Sequence, residues 1–199
     1  QVNAFCESFA SELASNTATS LSMDSCEGRT VTQGAMFHTN DTGEHIINSF
    51  WHGIPADANA DRVWMPEGHS TGRTAVAADE IVIDAHVTEA LEIELGDTVN
   101  ISAGNTSATF TVVGTGYHPL HVIMAPEGTL FPPESGQYVV GYLSDIGMAR
   151  LTGNAVGTSN TIVLDVEGTP SYDLPDTSEY EGEEIDVLKG IVDTSLSAN

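Results

Sequence analysis

Residues 80–116 constrain the fold more than any other stretch of the chain. Glu80-Ile-Val-Ile-Asp84 is an apolar run of strand length, and Asp84 stands where a helix N-cap belongs. Val87, Ala90 and Leu91 then share one face of a helix predicted from His86 to Glu94. Leu95-Gly96-Asp97 turns the chain: Gly96 permits the positive φ that ends a helix, and Asp97 can bond back to turn amides. Thr98 to Ser102 and Ala108 to Gly116, joined by the turn residues Ala103-Gly104-Asn105, read as a hairpin. Its alternating positions Val99, Ile101, Phe110 and Val112 face one core.

The flanking sequence adds helices at both ends. Val2, Phe5, Phe9 and Leu13 recur at helical spacing over residues 1–15, and a polar run through Gly28 ends that helix. GRTVTQGAMFHT alternates as a strand, EHIINSFWHGI is an apolar run compatible with strand or short helix, and residues 55–73 form a loop that marks a subdomain boundary. After a Pro-rich stretch at 118–133 come a strand at Gln137–Tyr142 and a short helix from Ser144 to Leu151 closed by Gly153. A strand at Thr161–Val166, a loop and a final helix at 183–196 with Ile185, Leu188, Ile191 and Val192 complete the chain. The expected architecture is α+β and two-lobed. Residues 1–62 and 155–199 form one lobe, and a strand-rich subdomain, residues 63–154, is inserted in it. No internal repeat is visible.

Charge narrows the partners. Asp and Glu number 29 against five Lys and Arg, a formal charge of −24 in 199 residues. Nucleic acid and anionic membranes, which need clustered cations, are excluded. The apolar fraction of 40% separates the chain from disordered acidic tails, so the charge describes the surface of a folded domain. Two readings of that surface stand: adaptation to high salt, where screening removes the self-repulsion, or a merely acidic extracellular domain. No stretch reaches the roughly 20 apolar residues that span a bilayer. The chain opens on Gln1 with neither an initiator Met nor a basic signal-peptide start, and reads as a mature product or an excised domain.

The segment GRTAVAADEIVIDAHVTEALEIELGDTVNI followed by SATFTVVGTG resembles the extracytoplasmic domain of FtsX/MacB-type ABC transporter permeases. The matching positions are Gly72-Arg73, Asp79 to Asp84, Leu95-Gly96-Asp97 and Val112-Val113-Gly114, and the later stretch ending in Leu151-Thr152-Gly153 with its returning strand extends the resemblance over residues 66–168. The same local helix, Leu-Gly-Asp and strand also occur in double-psi β-barrels. Similarity to the permeases implies a domain without catalytic residues or cofactor, on the extracytoplasmic face of the membrane. It is carried by a membrane permease that works with a cytoplasmic ATPase, as a dimer in one arrangement, and acts on an exported substrate or an extracytoplasmic protein. The alternatives are a secreted or surface binding module with a double-psi-like barrel, and a metal-dependent hydrolase.

Several residues are candidates for more than packing. His118 and His121 stand three apart, and His38, His45 and His52 recur every seven residues, in a chain rich in carboxylates. Pro119 argues against a helical pairing of His118 with His121, and no HExxH or EF-hand loop is present, so His118 and His121 are only the nearest candidates for a metal site. Asp79, Glu80, Asp84, Glu89, Glu92 and Glu94 are candidate acid/base carboxylates only by abundance, and Gly68-His-Ser-Thr-Gly72 lacks the spacing of a nucleophile elbow. Cys6 and Cys26 either close a loop of about 20 residues in an oxidising compartment or are two unrelated thiols. Asn40, Asn100 and Asn105 begin glycosylation sequons. Trp51, Trp64, Phe131 and Tyr138 read as core or rim. Leu120, Val122, Ile123, Met124, Leu130 and Phe131 lie on a Pro-rich loop and form the expected partner-contact surface.

Overall fold

The computed structural model describes residues 1–19, 21–40, 43–55, 57–60, 62–121, 125, 126, 129, 131–167 and 182–198, with the backbone alone for Asn40 and residues 182–185. Two compact units emerge, one of residues 1–27 and 162–199, the other of residues 28–161. The sequence reading placed the divisions at 62/63 and 154/155 instead. The difference has a physical cause: the apolar run at 44–54 is a strand whose two edges are both taken by strands of the second unit, so it cannot belong elsewhere.

The first unit joins both chain ends. Helix α1 (Val2–Ser15) buries Phe5, Phe9 and Leu13, one residue per turn on a single face. Helix α4 (Gly182–Ser197) supplies Ile191, with Val187, Leu188 and Val192 beside it in the same cluster. Strand β1 (Ser22–Asn40) begins in this unit and β8 (Thr161–Glu167) pairs with it, contributing Ile162, Leu164 and Val166. The polar run after α1 is therefore strand from Ser22 onward. A disulfide joins Cys6 of α1 to Cys26 of β1, with Cα atoms 5.8 Å apart.

The second unit is a closed six-stranded barrel. Strand β1 pairs antiparallel with β2 (Gly43–Gly53), β2 parallel with β7 (Tyr138–Leu143), and β7 antiparallel with β4 (Glu80–Asp84). Strand β4 then pairs parallel with β6 (Thr106–Gly116), β6 antiparallel with β5 (Thr98–Ala103), and β5 antiparallel with β1, which closes the ring. The two-residue β3 (Thr71–Gly72) pairs outside the ring on β6.

This ring contains a repeat that the residues do not show. Each half is a hairpin, a long crossing segment, a third strand and a capped helix: β1, β2, β4, α2 (Ala85–Leu91), then β5, β6, β7, α3 (Asp145–Thr152). Exchanging the halves maps β2–β7 onto β6–β4, both parallel, and leaves β4–β7 and β1–β5 unchanged. Asp84 accepts from the His86 amide and Ser144 from the Gly147 amide, so both helices start on side-chain caps. Both end on a left-handed residue, Glu92 (φ 55°) and Gly153 (φ 74°). Helix α2 therefore stops before the predicted Glu94, and Gly96 (φ 93°) serves the following turn, where Asp97 accepts from the Glu94 amide at 2.8 Å.

Inside the barrel Met36, Trp51, Ile81, Ile83, Ile101, Phe110, Leu143 and Leu151 are at most 1% exposed. Trp51 donates its indole N–H to the Ser102 carbonyl at 2.9 Å across the interior. Gly34 makes that approach possible, since a Cβ there would lie 1.8 Å from the same carbonyl oxygen and 2.5 Å from the indole nitrogen.

Candidate functional site

The polar chemistry of the barrel gathers where the last residues of the parallel strands β2 and β7 lie beside the antiparallel β4 and the exit of β6. His52 and Tyr142 are register partners on the parallel strands β2 and β7, Val82 of β4 lies opposite Tyr142, and Asp84 lies opposite Gly116 at the end of β6. Three residues past Gly116 the chain enters a 3₁₀ turn, Pro119–His121. Proline is tolerated at the first position of such a turn because its missing N–H has no partner to lose. The expectation that Pro119 keeps His118 and His121 apart is thus corrected: their ring centroids are 5.9 Å apart, and both meet His52.

The rings form a stack with one ring across it. Tyr142 lies on His118 (5.4 Å, 20°), His118 lies on His52 (5.0 Å, 28°), and His121 meets His52 edge-on at 4.8 Å. His52 Nε2 and His121 Nε2 are 2.6 Å apart, a hydrogen bond in which one ring donates and the other accepts. His118 accepts from the Leu120 amide at Nδ1 (3.3 Å). Burial, then the neighbouring His118 and His121 and the Arg29 guanidinium, holds His52 down to about 3. Burial and His118 hold His121 down to about 4, against the opposing pull of Asp84. Both rings are neutral over the ordinary pH range.

Asp84 is fully buried and spends its oxygens on this part of the barrel. One accepts from the Tyr142 hydroxyl at 2.7 Å; the other accepts from the His86 amide and contacts His86 Nδ1 at 2.7 Å. A carboxylate so engaged anchors β4, α2 and β7. Glu80 is similarly committed: it accepts twice from Arg73 and from the Val76 and Ala77 amides, which brings its carboxyl to about 2. Glu89, Glu92 and Glu94 project from α2 and its exit into solvent, and Asp79 ends the loop before β4. Among the described residues, no three His, Cys, Asp or Glu side chains are arranged about a common metal position. His118 stands in the ring stack and His121 edge-on to it.

The other sequence candidates scatter. His38 faces His45 across the β1–β2 hairpin and contacts the Leu91 carbonyl at 2.5 Å, apart from His52. Ser70 of the Gly68–Gly72 stretch donates to the Pro66 carbonyl, an ordinary turn bond. Trp51 and Tyr138 are core; Trp64 is 64% exposed and Phe131 81% exposed, so neither is. Leu120 is also exposed, at 68%, whereas Val122, Ile123, Met124 and Leu130 lie outside the described residues. Asn100 sits on β5 and Asn105 in the β5–β6 turn, both exposed. Sequence reasoning grouped His52 with His38 and His45 rather than with His118 and His121, and it missed Tyr142. What joins them is the parallel register of β2 with β7, His52 beside Tyr142, which no local residue pattern names.

No protein-family model matches the chain, and no curated protein matches it in sequence. Among solved structures it is similar to the extracellular domain of the noncanonic ABC-type transporter YknZ from Gram-positive bacteria, with 15% identity, 82% of this chain and 73% of that one covered, and a TM-score of 0.42. It is also similar to the periplasmic region of MacB from Actinobacillus actinomycetemcomitans, with 15% identity, 95% and 73% covered, and a TM-score of 0.42. Among the described residues, no helix is long and apolar enough to cross a membrane.

Proposed function

We propose that the chain is the extracytoplasmic domain of an ABC transporter permease of the FtsX/MacB kind, non-catalytic, relaying ATP-driven movement to an exported substrate or an extracytoplasmic protein. The observation that carries this reading is the path of the chain. Helices α1 and α4 share one hydrophobic cluster, so the barrel is an insertion in a unit made of both ends. A domain spliced between two membrane helices needs that arrangement, because both of its ends must return to the same membrane face. The residue pattern over 66–168 supports the same reading, and the Cys6–Cys26 bridge suits an oxidising exterior. The cytoplasmic ATPase would act through the parent permease, alone or as a dimer. With a formal charge of −24, outer partners are neutral, basic or met through apolar side chains such as Leu120 and Phe131.

The closed barrel favours a second reading, a secreted or surface binding module. The locus separates the two: the permease requires one membrane helix before Gln1 and three after Asn199, with an ATPase that co-purifies with the detergent-solubilised parent. A signal peptide before Gln1 and a stop codon near residue 199 would refute it. For the relay itself, spin labels attached at Glu12 of α1 and Ser107 of β6, both exposed, should change separation between ATP-bound and nucleotide-free states of the reconstituted transporter. An unchanged distance distribution would remove the relay and leave the location intact.

A further inference from the structure

His52 and His121 meet through like atoms, and that geometry has one proton in it. With Nε2 to Nε2 at 2.6 Å, one ring must be the donor and the other the acceptor. One added proton leaves an imidazolium donating to an imidazole and keeps the bond; only when both rings are cations do two N–H donors face each other, and the bond is then lost. Around the pair, β1 contributes Arg29, whose guanidinium is buried and donates to the Ala60 carbonyl at 2.7 Å. Strand β2 contributes Phe50, edge-on to His52 at 5.0 Å, and β7 contributes Tyr142 at 5.8 Å. The crossing segment contributes His118, and Asp84 at the end of β4 pulls weakly on His121 while bonded to Tyr142 and His86. The surroundings therefore hold a cation and one further imidazole against the pair, with one committed carboxylate in its favour.

The pair also joins two different pieces of chain. His52 belongs to a barrel strand, whereas His121 ends the 3₁₀ turn that follows β6. Tyr117 is fixed by paired backbone bonds with Trp64, both 2.8 Å, so the segment beyond it has a firm base. Past Tyr117 the rings tie the segment to the barrel, His118 in the stack and His121 on His52.

We propose that His52 and His121, with His118 stacked beside them, form an acid-operated latch: one shared proton holds the segment 118–121 on β2 and β7, and protonation of both rings releases it. A histidine that can take a proton only when the latch is open shifts the open–closed balance tenfold per pH unit below its free value of about 6.5, and two shift it up to a hundredfold. The released segment carries Leu120, already 68% exposed. This latch does not depend on the permease reading.

The test is amide hydrogen exchange on the full chain in molar salt from pH 7 to pH 4, corrected for the intrinsic pH dependence of exchange. Protection of the Leu120 and His121 amides should fall between tenfold and a hundredfold per pH unit below about pH 6, while Tyr117 and the β4 amides keep theirs. In His121→Gln, whose amide can still donate to His52 but does not titrate, the slope should drop to tenfold per unit or less. A wild-type profile without the step, or an undiminished slope in His121→Gln, overturns the latch. Should that variant fail to fold, the ring resonances of the wild type decide. Protonation of His52 and His121 well below 6.5 and in coupled steps supports the latch, and independent titration of both near 6.5 overturns it.

Discussion

Replacing both bridged cysteines, as C6A/C26A, should weaken one unit and leave the other as it was. The disulfide spans a sequence separation of 20. In the chain-entropy treatment a loop of that size restricts the unfolded chain by about 11 cal/mol/K, or about 3 kcal/mol at 25 °C. Two built-in probes tell the units apart. Trp51 and Trp64, the two tryptophans of the chain, both lie in the barrel. Helices α1 and α4, of 14 and 16 residues, belong to the other unit, against 7 and 8 residues for α2 and α3. Urea unfolding in molar salt, followed by far-ultraviolet circular dichroism and tryptophan fluorescence, therefore reads the units separately. With slopes of about 1 to 3 kcal/mol/M, the dichroism midpoint should fall by about 1 to 3 M while the fluorescence midpoint stays in place. Equal shifts in both signals would refute the division into two cooperative units, and an unmoved dichroism midpoint would refute the stabilising role of the bridge.

Three further outcomes are expected. Because His52 sits at about 3 in the latched folded chain and at 6.5 when unfolded, the unfolded chain gains that proton as pH falls below 6.5 while the latched chain does not. Stability should thus decline toward acid, by roughly 2 kcal/mol at pH 5 from this residue, and His52→Gln should flatten the slope in denaturant titrations at pH 7 and pH 5. Gly34→Ala places a Cβ 1.8 Å from the Ser102 carbonyl, so it should cost upwards of about 3 kcal/mol, read as a lowered fluorescence midpoint; a wild-type midpoint would mean that the β1–β5 seam yields easily. Raising salt from low to molar concentration should raise the unfolding midpoint markedly, given the −24 charge, and a flat response would contradict the high-salt reading of the surface.

What the residues disclosed was what neighbours decide. Asp84 and Ser144 announce helix starts, Gly153 an end, and Gly104-Asn105 a hairpin, and each acts within a few residues of itself. The assignment of residues 28–53 to the wrong lobe arose where the deciding partner is remote. Strand β2 is fixed by its parallel register with β7, Phe50 against Val140, and nothing in EHIINSFWHGI names a strand 90 positions away. The histidine cluster was hidden for the same reason. His118 and His121 are visible as a pair, but His52 joins them only through that register. Pro119, judged by its effect inside an α-helix, starts a 3₁₀ turn instead.

The exchange symmetry of the barrel has a consequence for how the chain reaches it. Each half donates its second strand to the third strand of the other, so neither half can complete its own hydrogen bonding, and a chain stopped after Leu91 would leave β2 and β4 each seeking a mate not yet made. Folding must therefore wait for contacts between distant residues, which places the barrel among slow folders. The same interleaving means that two copies of a single half supply every edge the ring requires.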